Sequence, residues 1–163
     1  MAGQSTYFRI LGRDLPNRSA MNVKGSRRFI EQVGENVRLA DGTRETLRRP
    51  QFLKKHAVSI SGDGLLAPPI QDLEFGDSIT IDFPHPMSLP GEVDINDLDF
   101  TPDPERLWYY GEKNNKTIRL PAGDPAISMT MWIPRMTIMI DNVNTDYDDT
   151  AAKVNWSIEA EIV

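Results

Sequence analysis

Cysteine is absent from this chain of 163 residues, which excludes disulfides, thiolate metal sites and thiol nucleophiles. Histidine is nearly absent: only His56 and His85 occur. His56 follows Lys54 and Lys55, His85 sits between Pro84 and Pro86, and their spacing matches no local metal-ligand motif. No serine lies in a Gly-x-Ser-x-Gly elbow, so a Ser–His–Asp triad has no anchor. Long apolar runs are also missing. The segment Met1–Leu15 meets Arg9 before any apolar core of the kind a signal peptide carries. The most apolar window, Ala126–Ile140, is broken by Pro134 and Arg135 and falls short of the ~18 residues a membrane helix needs. The expectation is a non-enzymatic protein kept in water, without membrane contact, cofactor or metal.

Helical periodicity is scarce as well. Arg27–Val33 and Pro104–Tyr110 admit only one or two turns each, too short to pack as helices. Period-two alternation recurs instead. It is present in Tyr7–Leu11, His56–Ile60, Ser78–Phe83 and Met136–Ile140. It is longest in Lys153–Ile162, where Val154, Trp156, Ile158, Ala160 and Ile162 share one face. Asp41-Gly42, between Val37–Ala40 and Thr43–Leu47, marks a hairpin whose two central residues would both take positive φ. Ser61-Gly62-Asp63-Gly64 reads as the end of a strand. The twelve prolines mark loops, and Pro84–Pro104 reads as one long extended connection. The fold expected is all-β, an antiparallel sandwich or barrel with a long Pro-rich loop and short helical turns. No linker divides residues 1–163, so one domain is expected.

Charge is unevenly distributed. Residues 1–60 hold twelve Lys/Arg against five Asp/Glu, a net of +7, and residues 61–163 hold six against nineteen, a net of −13. Such a chain can attract copies of itself or hold a polyanion. The basic residues Arg27, Arg28, Arg44, Arg48, Arg49, Lys54 and Lys55 have only Phe29 and Phe52 as aromatic neighbours. A nucleic-acid site would interleave more aromatics, and the overall pI of about 4.9 opposes a polyanion at long range. Docking on an acidic protein surface is the better expectation.

The acidic counterpart is Glu92, Asp94, Asp97, Asp99 and Asp103. Counting from Asp94, Asn96 and Glu105 fall where an EF-hand places ligands, but Leu98 and Asp99 occupy positions five and six, where a ligand and a glycine belong. An EF-hand is excluded, and a solvated or partner-facing loop is expected. Asp146, Asp148 and Asp149 form a second acidic group, read as a polar hairpin tip between two strands. Trp108-Tyr109-Tyr110 would point both ways from one strand, one side requiring further cover. With Leu65 and Leu66 they are the apolar candidates for an interface, and Trp108–Tyr110 could alternatively be a carbohydrate platform.

Two stretches carry a family resemblance. Arg48-Arg-Pro-Gln-Phe-Leu-Lys-Lys-His-Ala-Val-Ser-Ile-Ser-Gly-Asp-Gly leads into Leu65–Phe83, with Gly76-Asp77 opening a strand. Ile133-Pro-Arg-Met-Thr-Ile-Met-Ile-Asp is followed by an Asp-rich turn and Val154–Val163. Together these resemble small β-rich virion proteins of tailed bacteriophages, of the tail-tube, tail-tip and joining-protein class. The resemblance implies a structural subunit of the virion, most simply of its tail (tube, tip or baseplate ring), made in the host cytoplasm. It would contact copies of itself in a ring and other virion proteins. A capsid decoration or minor head protein is the neighbouring alternative, and a carbohydrate-binding module a more distant one. Tube proteins carry one long hairpin, which no pair of stretches in this sequence marks.

Overall fold

A computed structural model describes residues 7–29, 34–48 and 56–163. The described chain is all-β. The strands are β1 (Arg9–Ile10), β2 (Met21–Phe29), β3 (Gly34–Arg38), β4 (Arg44–Arg48), β5 (His56–Gly64), β6 (Ser78–Asp82), β7 (Met87–Pro90), β8 (Leu107–Lys113), β9 (Lys116–Leu120), β10 (Ile127–Trp132), β11 (Arg135–Asp148) and β12 (Lys153–Ile162). Six of them form one antiparallel sheet in the order β1-β6-β11-β12-β5-β2, four form a second in the order β7-β10-β8-β9, and β3 and β4 stand apart as a hairpin.

Alternation builds the larger sheet. Val154, Trp156, Ile158 and Ala160 of β12 are buried, while Asn155 and Glu159 between them are exposed. In β11, Met136, Ile138 and Ile140 point inward. A bulge between Ile140 and Asn142 inserts one residue against β12, and one residue reverses the face of everything after it. Val143 therefore packs against the core, while Asn142, Asn144 and Asp146 are exposed on the other side.

The sheet curls into a half-barrel. Phe83 and His85 follow β6, near one edge, yet they reach β2 at the other. The Gly25 N–H donates to His85 Nε2 at 3.2 Å, and a Cβ on Gly25 would meet Pro84 Cγ at 2.7 Å. Inside the curl lie Ile60, Ile81, Ile138, Ile140 and Ile158, all fully buried, closed over by Phe8, Ile10, Ile70 and Leu73. The Trp156 indole stacks on Phe8, with ring centroids 5.6 Å apart. Its Nε1 donates to the Ser19 carbonyl at 3.0 Å. Gly62 lies beneath it, where a Cβ would stand 2.6 Å from Trp156 Cζ2.

Several expectations change. Arg27 to Phe29 belong to β2, so the expected helical turn is a strand, and 30–33 lie outside the described residues. Pro104–Arg106 does make a 3-10 turn, but strand β8 follows at once. Pro84–Pro104 is not one extended connection: β7 lies within it, paired to β10, and a 3-10 turn covers Ile95–Asp97. Ser61–Gly64 ends β5 as expected, and its four residues stay paired with β12. Asp146 and Asp148 belong to β11 rather than to a hairpin tip. At the Asp41-Gly42 turn only Gly42 takes positive φ, at +85°. The Gly42 N–H donates to Leu39 C=O at 2.9 Å and the Leu39 N–H to Thr43 C=O at 2.9 Å. That is a three-residue loop with the glycine in the left-handed bulge position.

Candidate interaction surfaces

The expected basic and acidic patches meet different fates. Arg27 and Arg28 are exposed on β2 and Arg44 on β4, while Arg48 closes β4. Arg49, Lys54 and Lys55 lie outside the described residues. The Arg27 guanidinium stands 5.0 Å from the centre of the Phe100 ring, a cation–π contact. Phe100 follows Asp99, so the basic strand and the acidic loop touch within one chain. Arg28 borders a groove of about 370 Å³ with Ser26, Ser59, Asp141 and Glu159.

Most of the expected acidic loop is internally engaged. Glu92 accepts the Gly123 N–H at 2.8 Å. Asp94 caps the 3-10 turn, accepting the Asn96 N–H at 2.9 Å and its side-chain amide at 2.7 Å. Asp103 accepts the Glu105 N–H at 3.1 Å and Arg135 at 3.3 Å. Asp97 and Asp99 remain exposed, and the Asp99 carbonyl accepts Trp132 Nε1 at 3.2 Å. The loop is thereby laced over one face of the smaller sheet. Thr130 Oγ1 donates to Gly91 C=O at 2.8 Å and accepts the Val93 N–H at 2.9 Å. Tyr109 reaches Val93 C=O at 3.3 Å. Burial of that hydroxyl, with Glu92 and Asp94 nearby, pushes Tyr109 above its ordinary value of 10.0.

The apolar candidates divide. Leu65 and Leu66 are exposed. Trp108, Tyr109 and Tyr110 are half-buried in β8, Tyr109 directly opposite Thr130 and its neighbours opposite Met131 and Met129. Trp108 is not an open stacking plate: Arg119 lies 5.9 Å from its ring centre and Tyr7 stands 6.4 Å away. Sequence reasoning missed Phe75, which is 81% exposed in the turn before Gly76. Among the described residues no group of three or more His, Asp or Glu is disposed to hold a metal ion, and no helix is long and apolar enough to cross a membrane.

A buried ionic cluster joins the two sheets. Asp82 ends β6 between two cross-strand arginines, Arg9 and Arg135. Arg135 donates to both of its carboxylate oxygens, at 2.7 Å and 3.2 Å. Arg106, from the turn before β8, lies 3.5 Å from Asp82 and also donates to the Tyr7 carbonyl. The bond to Asp82 raises the Arg135 pKa, while burial, and after it the charge of Arg9, lowers that of Arg106. Asp82 and Asp103 offset Arg106 and Arg135, while Arg9 lies on the exposed side of the junction.

Four carboxyls, two exposed and two half-buried, are held below their ordinary value of 3.8: Asp41 by the Thr43 hydroxyl, Asp72 by Arg13, Asp103 by the Glu105 N–H and Asp124 by Lys113. A depressed carboxyl stabilises the fold above its unfolded pKa and loses that contribution as pH falls through the folded one. The thermal midpoint should therefore hold down to about pH 5 and decline in more acid solution. A midpoint rising into acid would contradict these four bonds.

Comparison with protein-family models, curated proteins and solved structures finds no match.

Between β2 and β5 the chain leaves the large sheet and returns. β2 pairs with β5 out to Phe29 opposite His56, and β3 pairs with β4 from Gly34 opposite Arg48 to Arg38 opposite Arg44. Residues 24–55 of this excursion carry nine Lys/Arg against four Asp/Glu. This stretch of sequence is basic, and among the described residues its strands β3 and β4 pair with each other and with neither sheet.

Proposed function

We propose that this chain is a non-enzymatic structural subunit that works by repeated contact with copies of itself, in the tail of a bacteriophage virion. The observation that carries the reading is the separate β3–β4 hairpin, Gly34–Arg48, set in a basic stretch of the chain. A free-standing hairpin buries little of its own surface and is marginal alone. It is better understood as a connector awaiting a neighbour. The remainder of the chain is acidic, which favours a hairpin-to-body contact over hairpin-to-hairpin or body-to-body contacts. Such a contact is heterologous and closes into a ring, or extends into a tube, according to the rotation between copies. The half-barrel with its flanking sheet serves in this reading as a barrel-like body from which loops and hairpin reach neighbours.

Negative-stain microscopy of the purified protein at low and high salt tests the reading. Rings or tubes at low salt that dissolve as ionic strength rises are the expected result, because exposed charges lose reach beyond a Debye length of about 8 Å at physiological salt. A monomer at every salt and protein concentration would refute it.

A further inference from the structure

The large sheet has an unfinished edge. On the β6 side of β11 the backbone pairing stops at Ile140, whose N–H donates to Asp77 C=O and whose C=O accepts the Gly76 N–H, each at 2.8 Å. From Asn142 to Asp148, β11 pairs only with β12 among the described residues. Seven residues, about 24 Å of extended chain, thus present alternate N–H and C=O groups to solvent, and most of these residues are exposed. An open strand edge is a template for another strand. Two of the usual guards are missing here: Asn142–Asp148 holds no lysine and no proline, and the bulge lies before it, between Ile140 and Asn142. Its protection is acidic, with Asp141, Asp146, Asp148 and Asp149 in or beside it and no Lys or Arg between them. Two such edges repel each other, so like edges do not pair.

The same chain carries a strand of complementary character. Among the described residues both outer edges of the β3–β4 hairpin are unpaired. Within it β4 is the more basic strand, with Arg44 and Arg48 against Glu45, while β3 balances Arg38 against Glu35. At the tip Arg38 and Arg44 are directly opposite, both exposed. Neither has an ion-pair partner among the described residues. Like charges directly opposite destabilise a strand pair, and an acidic neighbour would relieve them. Five residues of β4 fit within the open length of β11.

We propose that β4 of one copy adds to the open Asn142–Asp148 edge of β11 in the next, continuing the six-stranded sheet across the contact. This deepens the assembly reading, on which it rests, and moves the acidic side of the contact from Glu92–Asp103 to the distal half of β11. The reason is that Glu92, Asp94 and Asp103 are already bonded within the chain, leaving only Asp97 and Asp99 of that loop open, whereas Asp141, Asp146 and Asp149 have neither a hydrogen-bond nor a salt-bridge partner among the described residues and lie in or beside an open strand edge.

The absence of cysteine makes a direct test clean. Full-length Thr46→Cys and Asn144→Cys are mixed in equal amounts under mild oxidation and run on a non-reducing gel. A disulfide-linked heterodimer should dominate, and a control mixture of Asn144→Cys with Lys116→Cys should give little. A homodimer of Asn144→Cys formed as readily as the mixed product would overturn the proposal in favour of edge-to-edge pairing. In parallel, Arg38→Glu/Arg44→Glu and Asp141→Lys/Asp146→Lys should each lose assembly by sedimentation while keeping the wild-type circular dichroism spectrum. Mixing them should restore it, since each then offers the other a complementary partner. Charge-reversed variants that assemble like the wild type would overturn the proposal. Wild-type oligomers whose mixed cross-link does not exceed the control would sink this contact and leave the assembly reading standing. A wild-type chain that stays monomeric would sink both.

Discussion

Asp82→Ala is expected to lower the unfolding free energy by about 3–5 kcal/mol, the cost of removing one partner from a buried ion pair. Asp82 has no exposed surface and is bonded twice by Arg135, with Arg106 close by. Truncation takes the Asp82 carboxylate away from the Arg106 guanidinium, 8% exposed, and away from Arg135. The damage should not stay local. The cluster draws on β6, on the start of β11 and on the turn that launches β8, so it holds the smaller sheet against the larger. Asp82→Asn keeps the shape and loses the charge, and should fall between the wild type and the alanine variant. Denaturant titration near neutral pH measures all three. Domains are stable by only about 5–15 kcal/mol, so the alanine variant should be partly unfolded or recovered poorly. A loss below about 1 kcal/mol, the scale of an exposed pair, would show that the cluster is not the fastening described.

Trp156→Ala should be as costly, by a different route. Removing a buried tryptophan costs about 3–5 kcal/mol through lost transfer energy and the cavity left behind. Here the Ser19 carbonyl also loses its donor, about 1–3 kcal/mol more if water does not replace it. The partner test is Gly62→Ala, which drives a methyl group into the indole and should cost about 1–3 kcal/mol by overpacking. In the Trp156→Ala background the Gly62 substitution should cost much less, because the clashing ring is gone and only the tight contact with the Met21 carbonyl, at 3.2 Å, remains. A double-mutant cycle reads that coupling. Independent effects at the two positions would mean that Gly62 is glycine for some other reason.

The strands that could be read in advance are those whose burial is one-sided and regular. Lys153–Ile162 was legible to the residue because ten alternating positions leave no competing period. β6 was legible for the same reason. Failures cluster where a turn-forming residue sits in a strand because something distant requires it. Gly62 reads as punctuation but makes room for an indole from β12. Asn142, Asn144 and Asp146 read as a turn but extend β11, because the bulge at Asp141 reverses the strand's phase and hides its alternation. Pro90 reads as loop but lies in β7, an edge strand of the smaller sheet, where proline's missing donor is tolerated. Asn114-Asn115, both with positive φ, form the two-residue hairpin turn between β8 and β9 without an Asn-Gly signature.

The all-β class, the principal core strands and the charge imbalance between residues 1–60 and the remainder are legible without coordinates. Those follow from local alternation and from composition. Tertiary structure alone decided which charges are available. It engaged Glu92, Asp94 and Asp103 in caps, loop bonds and the sheet junction, set Arg27 against Phe100, and left Asp141, Asp146 and the tip arginines Arg38 and Arg44 open. It also decided which strand edge has no neighbour. The reason is the same in both cases: carboxylate partners and strand neighbours here are often tens of residues apart in the chain, as Asp82 and Arg135 are. No local pattern carries that information.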